Sequence, residues 1–201
     1  MSDSVLITGT STGIGEAAAL HFAREGYTVF AGMRNPDAGA GLVETAEKES
    51  LELSLVKHDV CDSDSNQAAV DEAMRASGKI DVLINNAGVG VRDFCTEVKL
   101  DLYRTALEVN LIGPIALTKQ VLPIMIKQGS GHIAGTSSVA GKVGIPLRTA
   151  YCAAKFGLIG FLDALRAEVA YHGIKVSSII PGLVKTGAVA NAMTGDGSVI
   201  G

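Results

Sequence analysis

The order of apolar and polar stretches constrains the fold of this chain most, because short β-rich runs alternate with longer helical ones from end to end. Several of the β-rich runs lack a polar face, as expected of parallel strands that helices cover on both sides. The pattern therefore predicts one α/β domain over residues 1–201, with a doubly wound parallel sheet. The predicted strands are Ser4–Thr8, Thr28–Gly32, Leu53–Lys57, Val82–Asn85, His132–Thr136 and Lys175–Ile180, and the predicted helices are Gly15–Glu25, Gly39–Ser50, Ser65–Ser77, Leu102–Gln128 and Tyr151–His172.

Composition and charge narrow the classes of function. Hydrophobic residues make up 47% of the chain and charged residues 19%, which is typical of a globular protein. The formal net charge is -4 and no basic run is present, so we expect no nucleic-acid partner. The cysteines Cys61, Cys95 and Cys152 form no CxxC pair, and the histidines show no ligand spacing. We therefore expect no metal site, and a reducing compartment.

The sequence also bears on location. The first predicted strand begins at Ser4, which leaves no room for a signal peptide. The most apolar stretch, Val109 to Ile126, is interrupted by polar residues at positions 118–120, so we expect no membrane-spanning segment and no membrane partner. A soluble, cytoplasmic protein is the expectation.

A glycine-rich turn follows the first strand and runs directly into a helix. Gly9 permits a tight turn, Gly13 lets the backbone approach a pyrophosphate, and Gly15 lets the helix lie close to the strand. The N–H groups of Gly13, Ile14 and Gly15 at the helix N-terminus would face the phosphates. The turn could be only a packing device, but this context favours a dinucleotide site in a Rossmann-type sheet with helices on both faces. A kinase-type P-loop is excluded, because no Gly-Lys-Ser/Thr follows.

The end of the second strand indicates which nicotinamide cofactor binds. Sites that prefer NAD place an acidic residue there, whereas this chain has Arg34, whose guanidinium suits a 2′-phosphate. Ser11 would add a hydroxyl donor. We therefore predict NADP, with NAD as the alternative if Arg34 is an ordinary surface arginine.

Two further strand ends carry polar groups with open roles. Asp59, followed by Val60, could accept a hydrogen bond from the adenine amino group or could cap the next turn. Asn86, Ala87 and Gly88 could contact the cofactor or could only brace neighbouring loops.

A candidate catalytic group lies later in the chain. Tyr151 and Lys155 are four residues apart at the start of a predicted helix and so share one face. A nearby ammonium, together with the positive ring of the oxidised nicotinamide, lowers the pKa of a phenol, so that Tyr151 can exchange a proton with an alcohol or carbonyl. Ser138, at the end of the fifth strand, would hydrogen-bond the same oxygen. The cofactor would carry the hydride.

In order and spacing these motifs resemble the short-chain dehydrogenase/reductase family along nearly the whole chain. The resemblance implies that Tyr151 is the acid/base and that Lys155 binds the nicotinamide ribose and lowers the tyrosine pKa. It implies that Ser138 positions the substrate and that Asn110 holds a water in a proton relay. From the residues alone, Asn110 could be a cap or a satisfied core amide. The motifs that carry the resemblance are Thr8–Gly15, Asp59-Val60, Asn85–Gly88, Asn110, Ser138, Tyr151, Lys155 and Pro181-Gly182 with Val184 and Thr186, the last four contributing to nicotinamide binding.

Within the family the chain is similar to the member 7 and 7B type, on residues 113–119, 165–168 and 191–198. That likeness implies a lipophilic carbonyl or alcohol substrate. The resemblance to the family implies a homodimer through the helices Leu102–Gln128 and Tyr151–His172, although the apolar positions of these helices could equally face the sheet. Relatives continue through another helix and a seventh strand, which this sequence lacks, so we expect a fragment of a longer enzyme rather than a short form.

Two other functions compete with an oxidoreductase. Epimerases and dehydratases of the extended relatives use GxxGxxG, and the GxxxGxG here disfavours them. A protein that binds NADP without turnover would be favoured by loss of Tyr151 or Lys155, and both are present.

Overall fold

The computed structural model describes residues 2–186 and 191–200, and its centre is a parallel sheet of six strands. The strands lie in the order β3-β2-β1-β4-β5-β6. The order reverses between β1 and β4, which opens a crevice beyond their carboxyl ends. The strands are β1 Ser4–Thr8, β2 Thr28–Met33, β3 Leu53–Lys57, β4 Val82–Asn85, β5 Gly131–Thr136 and β6 Ile174–Ile179.

The helices depart from the sequence prediction mainly at their ends. The first begins at Gly13, two residues earlier than predicted, so Gly15 lies inside its first turn. In place of the predicted helix 39–50, the chain forms a 3-10 turn at Pro36–Gly39 and then a shorter α-helix, Ala40–Lys48. The helices are α1 Gly13–Arg24, α2 Ala40–Lys48, α3 Ser63–Ser77, α4 Leu100–Leu107, α5 Gly113–Gln128 and α6 Thr149–Val169.

The sheet is covered on both faces, which confirms the predicted doubly wound fold. Alternate strand residues such as Leu6 and Leu83 pack with the apolar sides of α3, α5 and α6. Their neighbours in sequence, such as Ile7 and Ile84, pack with α1 and α2. This alternation follows from the two-residue period of a strand. The helices thereby hold the carboxyl ends of the strands in a fixed frame.

The helical run Leu100–Gln128 corrects one expectation. It contains α4, a π-helical turn at Glu108–Ile112, and α5. By length and composition its 29 residues are apolar enough to cross a bilayer, with a mean hydropathy of 1.5 in the most apolar window. The polar residues at 118–120 therefore do not exclude a membrane-spanning helix, contrary to the expectation from sequence. In this fold 39% of that window is buried, where residues such as Leu117 and Val121 pack under the sheet.

Strand β6 forms one edge of the sheet. It pairs with β5 along its whole length, from Ile174 to Ile179. The seventh strand and last helix of the family are not among the residues that the structure describes. Two short bridges instead involve the C-terminal part of the chain, where Met193 pairs with Val91 and with Val199.

Candidate active and cofactor site

The loops that follow β1 and β4 are bonded to each other at the carboxyl edge of the sheet. The Asn86 Nδ2 group donates to the carbonyl oxygens of Thr8 and Gly9, both at 3.1 Å. In return the Thr8 hydroxyl accepts the N–H groups of Asn86 at 3.0 Å and of Ala87 at 2.9 Å. These hydrogen bonds show that Asn86 and Ala87 brace the two loops against each other. Direct contact of these residues with the cofactor stays a prediction.

Close packing explains two of the glycines in the turn after β1. A Cβ atom on Gly9 would lie 2.7 Å from the Cα of Ala87, and Gly9 has φ of 69°. A Cβ atom on Gly15 would overlap the Gly9 carbonyl oxygen and would lie 2.5 Å from the Asn86 Nδ2. Larger side chains at these positions would push the two loops apart. The close approach predicted for Gly15 is therefore present.

The N-terminus of α1 fits an anionic group such as a pyrophosphate. Thr12 precedes the helix and its side chain makes no capping hydrogen bond, so it leaves the first-turn N–H groups at Gly13, Ile14 and Gly15 unoccupied by a cap. Gly13 adopts φ of 64° in this turn. A Cβ atom on Gly13 would lie 3.4 Å from the side chain of Thr186, so the loop after β6 reaches over the glycine turn.

Arg34 and Ser11 lie together beside the glycine turn. Arg34 is exposed and comes directly after β2. A surface depression is lined by Ser11, Arg34, Asn35 and Ala38. Asn35, which sequence reasoning did not single out, caps the 3-10 turn by accepting the Asp37 N–H at 3.1 Å. The structure thus brings together the two side chains predicted to hold a 2′-phosphate.

Asp59 and Val60 have structural roles after β3. The Asp59 carboxylate accepts the Cys61 N–H at 3.0 Å, and the Asp59 N–H donates to the Ser65 hydroxyl at 2.9 Å. The capping alternative for Asp59 is therefore present, and adenine recognition stays a prediction. Val60 is buried against Gly113, where an added Cβ would lie 2.7 Å from the Val60 carbonyl oxygen.

Tyr151 and Lys155 share one face of α6 at its N-terminal end. The Lys155 Nζ lies 5.6 Å from the centroid of the Tyr151 ring. Lys155 is 3% exposed and donates to the main-chain carbonyl of Thr136 at 2.8 Å. A ring and an ammonium group are thus held beside the end of β5, as the four-residue spacing predicts.

The pKa of Tyr151 depends on burial as well as on neighbouring charges. Burial raises the pKa of Tyr151 above its ordinary value, while the Ser138 hydroxyl and the Arg148 charge act in the opposite direction. Burial also lowers the pKa of Lys155 to about 8. In the chain by itself the pKa of Tyr151 is therefore raised, because desolvation of the phenolate outweighs the nearby charges. That Lys155, together with a bound oxidised nicotinamide, lowers this pKa stays a prediction.

Two consecutive serines follow β5 and have different hydrogen-bond partners. The Ser138 hydroxyl accepts the Ala140 N–H at 3.2 Å. Its hydrogen bond with Tyr151 acts to lower the pKa of the phenol, against the larger effect of burial. The Ser137 hydroxyl is buried and donates to the carbonyl oxygen of Lys155 at 3.1 Å. Sequence reasoning missed Ser137, although a second hydroxyl at the end of a buried strand was the available signal.

Asn110 lies on the π-helical turn and is fully buried. Its Nδ2 group donates to the carbonyl oxygens of Val89 at 3.0 Å and Ala106 at 2.9 Å, and its Oδ1 accepts the Val89 N–H at 3.2 Å. The satisfied core amide is therefore the role that these bonds show. A Cβ atom on Gly88 would lie 2.8 Å from the Asn110 Oδ1 and 3.5 Å from the Lys155 Nζ, so these three residues meet. The proton relay stays a prediction.

The loop after β6 borders the same region. The Pro181 carbonyl accepts the Val139 N–H at 3.2 Å, which ties this loop to the one that carries Ser138. Gly182 and Val184 are exposed, and Thr186 lies next to Gly13. Nicotinamide contacts from these residues stay predictions.

Comparisons with known proteins agree with this geometry. A family model described as short chain dehydrogenase matches residues 3–196. The SDR family member 7B protein of Xenopus laevis is 38% identical over 98% of this chain and 63% of its own length. The SDR family protein 7-like of Drosophila melanogaster is 39% identical over 98% of this chain and 62% of its own length. The chain therefore spans less than two thirds of these relatives.

Solved structures are similar as well. A short chain dehydrogenase/reductase from Burkholderia phymatum in complex with NAD superposes with a TM-score of 0.90, at 30% identity, over 94% of this chain and 68% of that one. Levodione reductase superposes with a TM-score of 0.87, at 32% identity, over 94% of this chain and 74% of that one.

Proposed function

Because the chain belongs to the short-chain dehydrogenase/reductase family, we propose that it is an NADP-dependent oxidoreductase acting on a carbonyl or alcohol. One observation carries the proposal. Tyr151, Lys155 and Ser138 lie together at the carboxyl edge of the sheet, the same edge at which the glycine turn leaves the N-terminus of α1 uncapped. A phosphate site and a proton-exchange site thus share one crevice.

Each side chain of this centre has a chemical task. Tyr151 exchanges a proton with the substrate oxygen, and Ser138 holds that oxygen by a hydrogen bond. The buried Lys155 ammonium faces the ribose side of the crevice, next to Gly88 and Asn110. Bound nicotinamide supplies or accepts the hydride. With NADP⁺ bound, its positive ring adds to the charges of the chain that oppose the burial cost of the phenolate.

The preference for NADP rests on Arg34. Its guanidinium is exposed and lines a depression with Ser11, where it is free to pair with a 2′-phosphate, and a guanidinium binds phosphate through paired hydrogen bonds. The NAD-bound relative from Burkholderia phymatum makes NAD the competing cofactor to test.

Fluorescence titrations with NADPH and NADH test this preference. We expect NADPH to bind about tenfold or more tightly, because one charge-assisted pair contributes that much. Arg34→Gln should remove most of the difference, because it should weaken the binding of NADPH and leave the binding of NADH unchanged. Arg75→Gln is the matched control, because it removes an exposed arginine from α3. Tighter binding of NADH by the wild type would overturn the NADP assignment.

The substrate is proposed to be lipophilic. Besides the likeness to the member 7 and 7B type, the loop that follows Ser138 exposes Val139 by 41% and Val143 by 53%. Apolar side chains next to the reacting groups favour an apolar substrate body. The test is a panel of long-chain and polycyclic ketones and aldehydes, whose reduction is measured as the oxidation of NADPH. Equal turnover of short polar carbonyls would contradict it.

A homodimer in the cytoplasm is proposed as well. Leu100 on α4, Ile112 after it and Phe156 on α6 are large apolar side chains exposed on the helical surface. A second copy of the chain would cover them. Light scattering should give twice the mass of the chain, and Phe156→Glu should give a monomer. A monomeric wild type would contradict the dimer.

A further inference from the structure

Arg148, the residue that precedes α6, places a positive charge beside Tyr151. Its guanidinium carbon lies 5.9 Å from the centroid of the Tyr151 ring, about as close as the Nζ of Lys155 at 5.6 Å. Arg148 is the N-cap residue of α6, and its side chain reaches the ring of Tyr151 in the first helical turn. Two cations therefore face one ring.

The backbone fixes Arg148 in this place. Its N–H donates to the Ile145 carbonyl at 3.2 Å, and its carbonyl accepts the Cys152 N–H at 2.7 Å. On the other side, a Cβ atom on Gly90 would lie 4.0 Å from a terminal nitrogen of the guanidinium. The side chain thus lies between the start of α6 and the loop after β4.

The charge of Arg148 is not neutralised within the chain. In residues 2–186 and 191–200, its guanidinium has no ion-pair partner and no hydrogen-bond partner. A guanidinium stays protonated throughout the pH range in which proteins are folded. Its field therefore acts on Tyr151 at every working pH.

The charge of Lys155, unlike that of Arg148, depends on pH. Its ammonium is buried, donates to the Thr136 carbonyl and has its pKa lowered to about 8, so it begins to lose its proton in the mildly alkaline range. Burial has the largest effect on the pKa of Tyr151 and raises it, as Cys152 does, whereas the Ser138 hydroxyl and the charge of Arg148 lower it. Arg148 thus lowers the pKa of a ring that the Lys155 ammonium also faces.

We propose that Arg148 is a positioning residue for proton exchange, whose fixed charge stabilises the phenolate form of Tyr151. In this role the charge of Arg148 adds to that of Lys155, whose ammonium lies beside the same ring. For turnover the inference rests on the proposed function, but the charge effect on Tyr151 does not depend on it.

The direct test is a pH titration of the tyrosine side chains by NMR, with isotope-labelled tyrosine in the full chain. Tyr151→Phe identifies the resonance of Tyr151. Arg148→Gln should move the midpoint of that titration upward by about half a unit to one unit, as a charge at this distance in partly solvated surroundings does. Arg148→Lys should restore most of the shift, and Arg75→Gln should leave the midpoint unchanged.

Two results would overturn the inference. One is an unchanged midpoint in Arg148→Gln with NADPH binding retained. The other is an equal shift in Arg148→Gln and Arg148→Lys, which would indicate a structural rather than an electrostatic effect.

Kinetics give a second readout. The alkaline limb of alcohol oxidation should move upward in Arg148→Gln by the same amount as the NMR midpoint. If the wild type turns over no alcohol or carbonyl, the proposed function fails, whereas the NMR titration still decides the role of Arg148.

Discussion

The Ser137 hydroxyl donates a hydrogen bond to the main-chain carbonyl of Lys155 at 3.1 Å. In the opposite direction, the Lys155 ammonium donates to the main-chain carbonyl of Thr136 at 2.8 Å. The end of β5 and the second turn of α6 are therefore joined by a reciprocal pair of buried bonds. This pair fixes how far Ser138, on the strand side, lies from Tyr151, on the helix side.

Removal of the Ser137 hydroxyl should loosen that joint. We expect Ser137→Ala to lower the free energy of unfolding by about 1–2 kcal/mol, because the buried Lys155 carbonyl loses the donor that it has in addition to its helical hydrogen bond. Turnover should fall while NADPH binding stays close to that of the wild type. Chemical denaturation and steady-state kinetics measure both effects. Ser130→Ala, at an exposed position before β5, is the control and should change neither. Wild-type stability in Ser137→Ala would show that the bond is dispensable.

A methyl group at Gly15 should disrupt the glycine turn. The added Cβ would overlap the Gly9 carbonyl, so Gly15→Ala should cost about 1–3 kcal/mol and weaken NADPH binding. Gly41→Ala on α2 meets no atom within 4 Å and should be neutral or stabilise the chain by up to about 1 kcal/mol. Thermal unfolding and fluorescence titration compare the two variants. Equal effects would contradict the packing argument.

The buried ammonium of Lys155 should reduce stability near neutral pH. Burial lowers its pKa from 10.5 to about 8, so the unfolded chain binds this proton more tightly than the folded chain. The Lys155 contribution to stability therefore increases as the pH rises from about 8 towards 10.5 and is least favourable below about 8.

Lys155→Met should remove this dependence. The variant should be more stable than the wild type near pH 7, by about 1–2 kcal/mol, and inactive. The difference should shrink as the pH rises above about 8, where the wild-type lysine loses its proton. Denaturation at several pH values measures the difference between the two chains. A difference independent of pH would contradict the account of the burial cost.

His58 should make the chain sensitive to acid. It is buried, its Nε2 lies 2.6 Å from the Asn66 Oδ1, and burial lowers its pKa below the ordinary value of 6.5. The unfolded chain therefore takes up this proton first, so the stability from neutral His58 is lost as the pH falls below about 6.5. His58→Gln should flatten the fall in stability. The control is His132→Gln, at a second histidine with a lowered pKa. It should leave unchanged the loss of stability in acid that comes from His58.

The strands were predictable from sequence, whereas parts of the helices were not. The observed strands differ from the predicted ones by at most one residue at an end, because apolar β-rich runs between turns are a local signal. The π-helical turn at Glu108–Ile112 divides a stretch that reads as one continuous apolar helix. No local residue type marks that turn, and its side chain at Asn110 is satisfied by the distant loop at Val89.

The arrangement of the site was likewise predictable from sequence only in part. The groupings of Gly9 with Gly15 and of Tyr151 with Lys155 could be predicted, because each pair is close in sequence. The hydrogen-bond partner of Ser137 could not be predicted, since it is a main-chain carbonyl that only the packing of α6 on β5 brings near. Desolvation was also beyond the sequence, because the burial of Tyr151 depends on elements from several parts of the chain.

The central claim is that Tyr151 exchanges the proton in an NADPH-dependent reduction. The most direct measurement compares NADPH oxidation by the wild type and Tyr151→Phe across a panel of lipophilic carbonyls, with NADPH affinity measured on the same samples. We predict turnover by the wild type, a loss of about 100-fold or more in Tyr151→Phe, and equal NADPH binding. Turnover in Tyr151→Phe equal to that of the wild type would contradict the account.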